Sequence, residues 1–502
     1  MSRVIGYIIG EATPTRGFFI SVEPPRLGQY VTMEYDGKTV LGMVQALVSG
    51  SVSLSEDIHD PQVVERIRRL EKGKDVYVKG IISILGDVDE LRIPRVPPSP
   101  GMEVKIADRE TLRRVFGERD YASLRIGTLI SHGDVPVCVD VNRMVSRHLA
   151  ILAVTGAGKS NTVAVISDGI IRMGGTVVIF DMHSEYLDSD LGGGRVNPVT
   201  PILDPYTLSV WELMQLANIR PDYHVQERIF RVAYRNAVEK VRGGGDPSRF
   251  LKYLKESLEE QSEGGEEGRR EKKGDIAAVL NKVEGFEEKY SRIIRPGVGG
   301  IVGRFRLGCA NVIDLGQVDE DCADVVVSHT LRRLLEERKR FVVEDGRGGF
   351  RHPVLTVIEE AHILAPTAED TLSSYWIGRI AREGRKFGVG LCLVSQRPKA
   401  LSANALSQVN NMIILKLVEP SDQRHVQAAS ESLSDDLLRQ LPSLNTGEAV
   451  VLGMMVRVPA LVKVDQYRGK LVGSDIDVVS AWREGGGGVE EERREVDELL
   501  EL

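Results

Sequence analysis

The 502-residue chain is short of several things. It has four cysteines, 5% aromatic residues and no surplus of positive charge, since 73 Asp and Glu outnumber 65 Lys and Arg to leave a net charge of −8. Cys138, Cys309, Cys322 and Cys392 stand apart without metal-ligand spacing, and Cys138 and Cys392 lie in apolar runs, so they read as small core residues of a reduced compartment rather than a disulfide framework. No apolar run approaches the ~18 residues of a membrane span and the first residues carry no signal-type apolar segment, so the expectation is a cytoplasmic protein with no membrane contact. The acidic balance gives no global footprint for nucleic acid, so any DNA contact must be a local basic lining. The charge-rich, aromatic-poor composition is compatible with the ion-pair networks of a heat-adapted protein.

What the chain does have is Leu149-Ala-Ile-Leu-Ala-Val-Thr-Gly-Ala-Gly-Lys-Ser-Asn-Thr162. A short apolar run breaks into glycines, then Lys159-Ser160, then a segment with Val163, Ile166, Ile170 and Ile171 on one helical face. That is strand, phosphate loop, helix. The backbone of Thr155, Gly156, Ala157 and Gly158, with Asn161 just beyond, is expected to surround the phosphates of ATP. Lys159 supplies a point charge for the β and γ phosphates, and Ser160 a hydroxyl for Mg²⁺. The strict pattern has Gly where Ala153 stands, a departure that touches neither Lys159 nor Ser160.

Residues 1–145 are read as one N-terminal β-barrel, from short alternating runs punctuated by Gly and Pro with a charged helix at Pro61–Glu71. From 146 the pattern becomes strand alternating with helix. Seven apolar runs, beginning at Leu149, Thr176, Ala310, Val354, Val389, Met412 and Glu448, predict a doubly wound α/β core over 146–204 and 299–482. Residues 205–298 read as an inserted helical bundle, with Gly243–Gly245 and Glu259–Gly274 as solvated loops, and 483–502 as a glycine-tethered tail that is either disordered or docked on a neighbouring subunit.

Three further segments should deliver chemistry to the C-terminal ends of these strands. Ile358-Glu359-Glu360-Ala-His362 ends an apolar strand in two carboxylates, Glu359 suited to the Mg²⁺ shell through water and Glu360 to deprotonating the attacking water. Phe180-Asp181-Met-His183-Ser-Glu185-Tyr186 offers Asp181 as a carboxylate behind the metal and His183 as a relay; the pattern lacks the further histidines of a zinc set. Gln396, after Val394-Ser395, is the candidate γ-phosphate sensor. The cluster Arg382-Glu-Gly-Arg385-Lys386 holds the candidate arginine finger acting in a neighbour's site, Arg385 preferred to Arg382, and Arg147 is a further candidate for reaching a phosphate. Trp376 is either a core residue or a DNA contact on the wall of a ring.

Together, Asn142–His148, the Ala153–Ser160 loop, Phe180–Tyr186, Ile358–His362 and Arg382–Gly388 with Ser395–Pro398 resemble the archaeal HerA family of the HerA/FtsK translocases, over nearly the whole chain. The resemblance implies a RecA-like core with a HAS-type barrel. It also implies a homohexamer that uses ATP and Mg²⁺ to translocate or unwind double-stranded DNA, in company with a NurA-type nuclease in end resection during double-strand break repair by homologous recombination. A ring motor acting on polypeptide, a secretion-type motor and a non-motor P-loop switch are the alternatives that the fold alone leaves open.

Overall fold

The structure is a computed structural model, and it describes residues 3–71, 76–220, 222–263, 270–430 and 432–471. The tail 483–502 lies outside the described residues.

Six antiparallel strands, Val4–Thr13, Arg16–Ser21, Tyr30–Tyr35, Lys38–Ser51, Val76–Asp87 and Glu103–Ile106, form a closed barrel. Alternate residues fill it: Ile5, Ile8, Phe19, Val31, Met33 and Ile82 are buried in one cluster inside. Register shifts after Ile9, Leu41 and Val44 mark the bulges that let so short a sheet curl shut.

The barrel ends at Ile106, not at 145. Strands Ser123–Leu129 and Pro136–Asp140 join the large sheet instead, Leu129 pairing with Val462. Two-residue alternation identifies an antiparallel strand but does not say which sheet receives it, which is why the boundary falls some 40 residues earlier than the sequence suggests. Among the described residues the large sheet has eleven strands. Seven are parallel, in the spatial order Val196–Val199, Ala310–Asp314, Thr176–Asp181, Val354–Ile358, Val389–Ser395, Leu149–Leu152, Asn411–Ile414; four antiparallel strands, Glu448–Gly453, Ala460–Val464, Ser123–Leu129 and Pro136–Asp140, extend one side. All seven apolar runs of the sequence are strands of this sheet. Leu149–Leu152 lies between Val389–Ser395 and Asn411–Ile414 with all four residues buried, so its C-terminal end opens at the sheet rim where chain direction makes a crevice.

The insertion leaves and re-enters the core through a narrow neck, where Leu203 bridges Ile294 and Asp204 accepts from the backbone N–H groups of Gly297 and Gly299 at 3.1 Å each. Three helices, His224–Arg242, Phe250–Glu263 and Arg270–Lys289, make the bundle, and the short helix Val210–Leu216 ties it to the core helix Glu320–Val343 through Gln215 and Asp324. Two expected loops are corrected here. Glu259–Glu263 and Arg270–Gly274 are helical, as their Glu and Lys content favours, leaving 264–269 outside the described residues. Gly243–Gly245 is a hydrogen-bonded helix terminus, Gly243 donating to Glu239 O at 2.8 Å and Gly245 to Lys240 O at 3.0 Å.

Candidate active site

The loop after Leu152 turns on Gly156 (φ 76°) and Gly158 (φ 104°), a region of backbone space closed to most side chains. Gly158 N-caps the helix Lys159–Arg172, so the free N–H groups of its first turn point out over the rim. Lys159 is anchored there: its Nζ donates to Oε1 of Glu360, with the two side chains only 15% and 2% exposed.

Glu360 sits in the left-handed region (φ 44°, ψ 44°) where the strand Val354–Ile358 breaks off, a strained position for a residue with a side chain and one that aims the carboxylate across at the loop. Its other neighbours are histidines. His183 Nε2 is 3.5 Å from Oε1, and His362 Nδ1 is 3.3 Å from Oε2 without hydrogen-bond alignment while also 3.2 Å from the Ser395 hydroxyl. Gln396 closes the ring of contacts, accepting at Oε1 from the Thr155 hydroxyl at 2.6 Å. Four segments far apart in sequence therefore converge on one rim: Thr155–Ser160, Asp181–Tyr186, Glu359–His362 and Ser395–Gln396.

Glu359 lies deeper. It is fully buried, its Oε1 accepts a 2.8 Å hydrogen bond from Tyr186 Oη, and burial pushes its carboxyl up to about 8 against the opposing pull of Lys159. Oε2 of Glu359 and Oε2 of Glu360 have no hydrogen-bond donor among the described residues. Two buried carboxylate oxygens without donors beside a phosphate loop suit a hard divalent cation and its water shell, with Ser160 in the first helical turn supplying a hydroxyl. Among the described residues no cluster of three or more His, Cys, Asp or Glu makes a self-contained metal site.

Several expected site residues do something else. Both oxygens of Asp181 accept from the loop that follows, from the N–H of His183 (3.3 Å), Glu185 (3.1 Å) and Tyr186 (2.8 Å), and burial raises its carboxyl. It shapes the turn that brings Tyr186 to Glu359. Asn161 spends its side-chain amide on the segment after the last strand, donating to Asp465 O at 2.9 Å and accepting from Tyr467 N at 2.8 Å. Arg147 ends the helix Val141–Arg147 and precedes Leu149–Leu152, so a strand of about 13 Å separates it from the loop of its own chain. Arg382 and Arg385 likewise occupy the end of the helix Leu372–Phe387, before Val389–Ser395, about 23 Å of strand away from Gln396.

These arginines sit at the sheet edge opposite the phosphate loop. Buried His148 pins that edge: its Nδ1 accepts from Leu391 N and its Nε2 meets Ala381 O, both at 3.1 Å, and burial pushes its imidazole down to about 4. Arg382 and Arg385 are exposed and form no ion pair among the described residues, whereas Glu383 between them is taken by Lys339 and Arg379. Trp376 is half-buried against the core, edge-on to Tyr375 at 5.2 Å and under the Arg379 guanidinium at 5.1 Å; the exposed ring is Tyr375, at 58%. The sequence reading missed Tyr186 and His362 as working side chains. Both stand in the quoted motifs, but only their contacts reveal the partner each serves.

A RecA-like sheet whose rim joins a glycine loop, a buried lysine and a pair of strand-end carboxylates defines a P-loop ATPase. A profile described as "Helicase HerA, central domain" matches residues 124–334, "Helicase HerA-like C-terminal" matches 326–468, and "HAS barrel domain" matches 5–90. The DNA double-strand break repair helicase HerA of Saccharolobus solfataricus is 42% identical over 491 residues, 96% of either chain, and that of Pyrococcus furiosus is 34% identical over 548 residues, covering 96% of this chain and 97% of that one. The chain belongs to the HerA helicase family. Two solved structures share the fold: VirB4 of Thermoanaerobacter pseudethanolicus (TM-score 0.51, 17% identity, 70% of this chain and 98% of that one) and the bacterial conjugative coupling protein TrwB (0.50, 13%, 72% and 92%). No helix among the described residues is long and apolar enough to cross a membrane.

Proposed function

We propose that the protein is an ATP-driven motor that translocates or unwinds double-stranded DNA as a homohexameric ring, working with a NurA-type nuclease on broken DNA ends ahead of homologous recombination. The observation that carries the ring is the separation of Arg382 and Arg385 from their own phosphate loop by the length of a strand, exposed and unpaired at the opposite sheet edge among the described residues. Such a cation stabilises transferring phosphoryl charge only in a neighbour's site. The names of the relatives aligned over nearly all of the chain support DNA as the polymer and break repair as the setting.

In this reading the N–H groups of Gly156 to Ser160 receive the phosphates of ATP, and Lys159 leaves Glu360 to meet the β and γ oxygens. Glu360, released, takes the proton of the attacking water, with His183 and His362 holding its carboxylate in position. Ser160, with Glu359 through water, would hold Mg²⁺, which would supply positive charge against that of the phosphates. Gln396 and Thr155, already joined, are poised to register whether the γ-phosphate is present.

The test is complementation. Arg385→Ala subunits keep their own phosphate loop and Lys159→Ala subunits keep their arginines, so mixed rings should recover hydrolysis that neither parent shows. Mixed rings verified by mass that stay inactive would remove the trans role. Duplex DNA should stimulate hydrolysis with a steep salt dependence, whereas a polypeptide motor would show none.

A further inference from the structure

We infer that the inserted bundle carries a duplex-DNA contact, an arginine stripe on the helix His224–Arg242 backed by Trp211; this rests on the DNA reading above. Arg228, Arg231 and Arg235 follow one another at helical spacing, and with His224 they line a groove of about 590 Å³. Arg231 is steadied from two sides, by Glu227 at 3.1 Å and by the Trp211 ring, over which its guanidinium stands at 5.3 Å. Arg228 and Arg235 are exposed and meet no hydrogen-bond or ion-pair partner among the described residues, in a protein whose net charge is −8.

The dimensions fit a phosphate backbone. From Arg228 to Arg235 the helix rises about 10 Å, the axial length of about three nucleotides of one strand at ~3.4 Å each. Trp211, 43% exposed, joins the stripe to a second hollow that it lines with Asp370 and Leu372 at the start of the helix Leu372–Phe387. That helix begins on the side of the sheet where Glu359 and Glu360 emerge, so the stripe runs from the bundle toward the ATPase rim. Guanidinium groups at intervals with an exposed indole beside them match a polyanion with flat bases and grooves better than they match an acidic peptide.

The experiment compares the full-length ring with its Arg228→Ala/Arg235→Ala variant by fluorescence anisotropy on duplex DNA across a salt series, with ring mass and DNA-free ATPase recorded beside it. Two lost phosphate contacts should flatten the log–log salt slope by about 1.8 and weaken binding roughly 60-fold near 0.1 M salt. Ring mass and DNA-free hydrolysis should stay unchanged, and Arg228→Lys/Arg235→Lys should restore most of the affinity. A parent ring that binds duplex and an alanine variant that binds it with the same slope and affinity would overturn the stripe alone. A parent ring that binds no duplex would overturn the DNA function and the stripe with it. An alanine variant whose ring dissociates, with a lysine variant that assembles but binds no better, would make the stripe a subunit contact and overturn it as a DNA contact.

Discussion

Tyr186→Phe isolates one hydrogen bond. Tyr186 is fully buried, its hydroxyl donates to Glu359 Oε1 at 2.8 Å, and no other side-chain or backbone donor reaches that carboxylate among the described residues. Phenylalanine keeps the ring volume, so packing should be preserved within about 1 kcal/mol. What is lost is a hydrogen bond to a charged acceptor, about 1.5 to 3 kcal/mol, equivalent to about one to two pKa units. The sign follows from which form the bond favours. The phenol steadies the ionised carboxylate, so its removal lifts Glu359 above the value near 8 to which burial already pushes it. If the ionised form is the one that holds the Mg²⁺ shell, the acid limb of the ATPase pH profile should move up by about one unit or more, and kcat/KM at neutral pH should fall roughly tenfold or more. The deficit should shrink as pH rises. A profile that keeps its midpoint, or a deficit equal at every pH, would refute the assignment of Tyr186 to Glu359.

Glu360→Gln should lose hydrolysis yet bind ATP more tightly than the parent, because it removes both the base and the charge that holds Lys159; nucleotide affinity measured beside turnover checks this, and a hydrolysing variant would take Glu360 out of the base role. Glu212, buried between core and insertion, is held down to about 2 from 4.5, burial opposing and His329 and Arg332 prevailing. Its depressed value stabilises the fold above about pH 4.5 and the contribution is lost as pH falls toward 2, about 3 kcal/mol in all. Glu212→Gln should flatten unfolding free energy against pH in that window, and an unchanged acid limb would contradict it. Trp376→Ala should cost about 2 kcal/mol, less than a full core truncation since the ring is only half-buried, with basal and DNA-stimulated ATPase falling together as the protein destabilises. A stable variant that loses DNA stimulation alone would return Trp376 to the DNA path.

The seven core runs were legible because a strand buried on both faces has almost no freedom in composition: Leu149–Leu152 and Val354–Ile358 admit only apolar residues apart from Thr356, whose hydroxyl finds Gly390 O at 2.8 Å. Their C-terminal ends then deliver Lys159, Glu359, Glu360 and Gln396 to one rim by topology. The same topology separates Arg147, Arg382 and Arg385 from it, which could have been read from their positions before their strands. Side-chain partners were not legible. Asp181 and Asn161 stand at plausible places in the motifs, but a carboxylate or amide satisfies backbone groups as readily as it meets a ligand, and only the observed bonds decide. The limit of the barrel was hidden for another reason, since Ser123–Leu129 and Pro136–Asp140 alternate like barrel strands, yet they pair with each other and the first pairs with Ala460–Val464, more than 330 positions away.

That pairing has a mechanical consequence. Tyr30 of the barrel packs on Phe116 with ring centroids 4.9 Å apart, donates to Pro459 O at 3.2 Å and belongs to the same buried cluster as Leu149 and Val394, while the chain leaving the barrel is stitched into the sheet within some 20 residues. Among the described residues no slack joint separates the two parts. Any tilt of the sheet would therefore be passed to the barrel, and anything clamped to the barrel's outer surface would be carried with it like a tool bolted to the crank rather than hung from it by a cord.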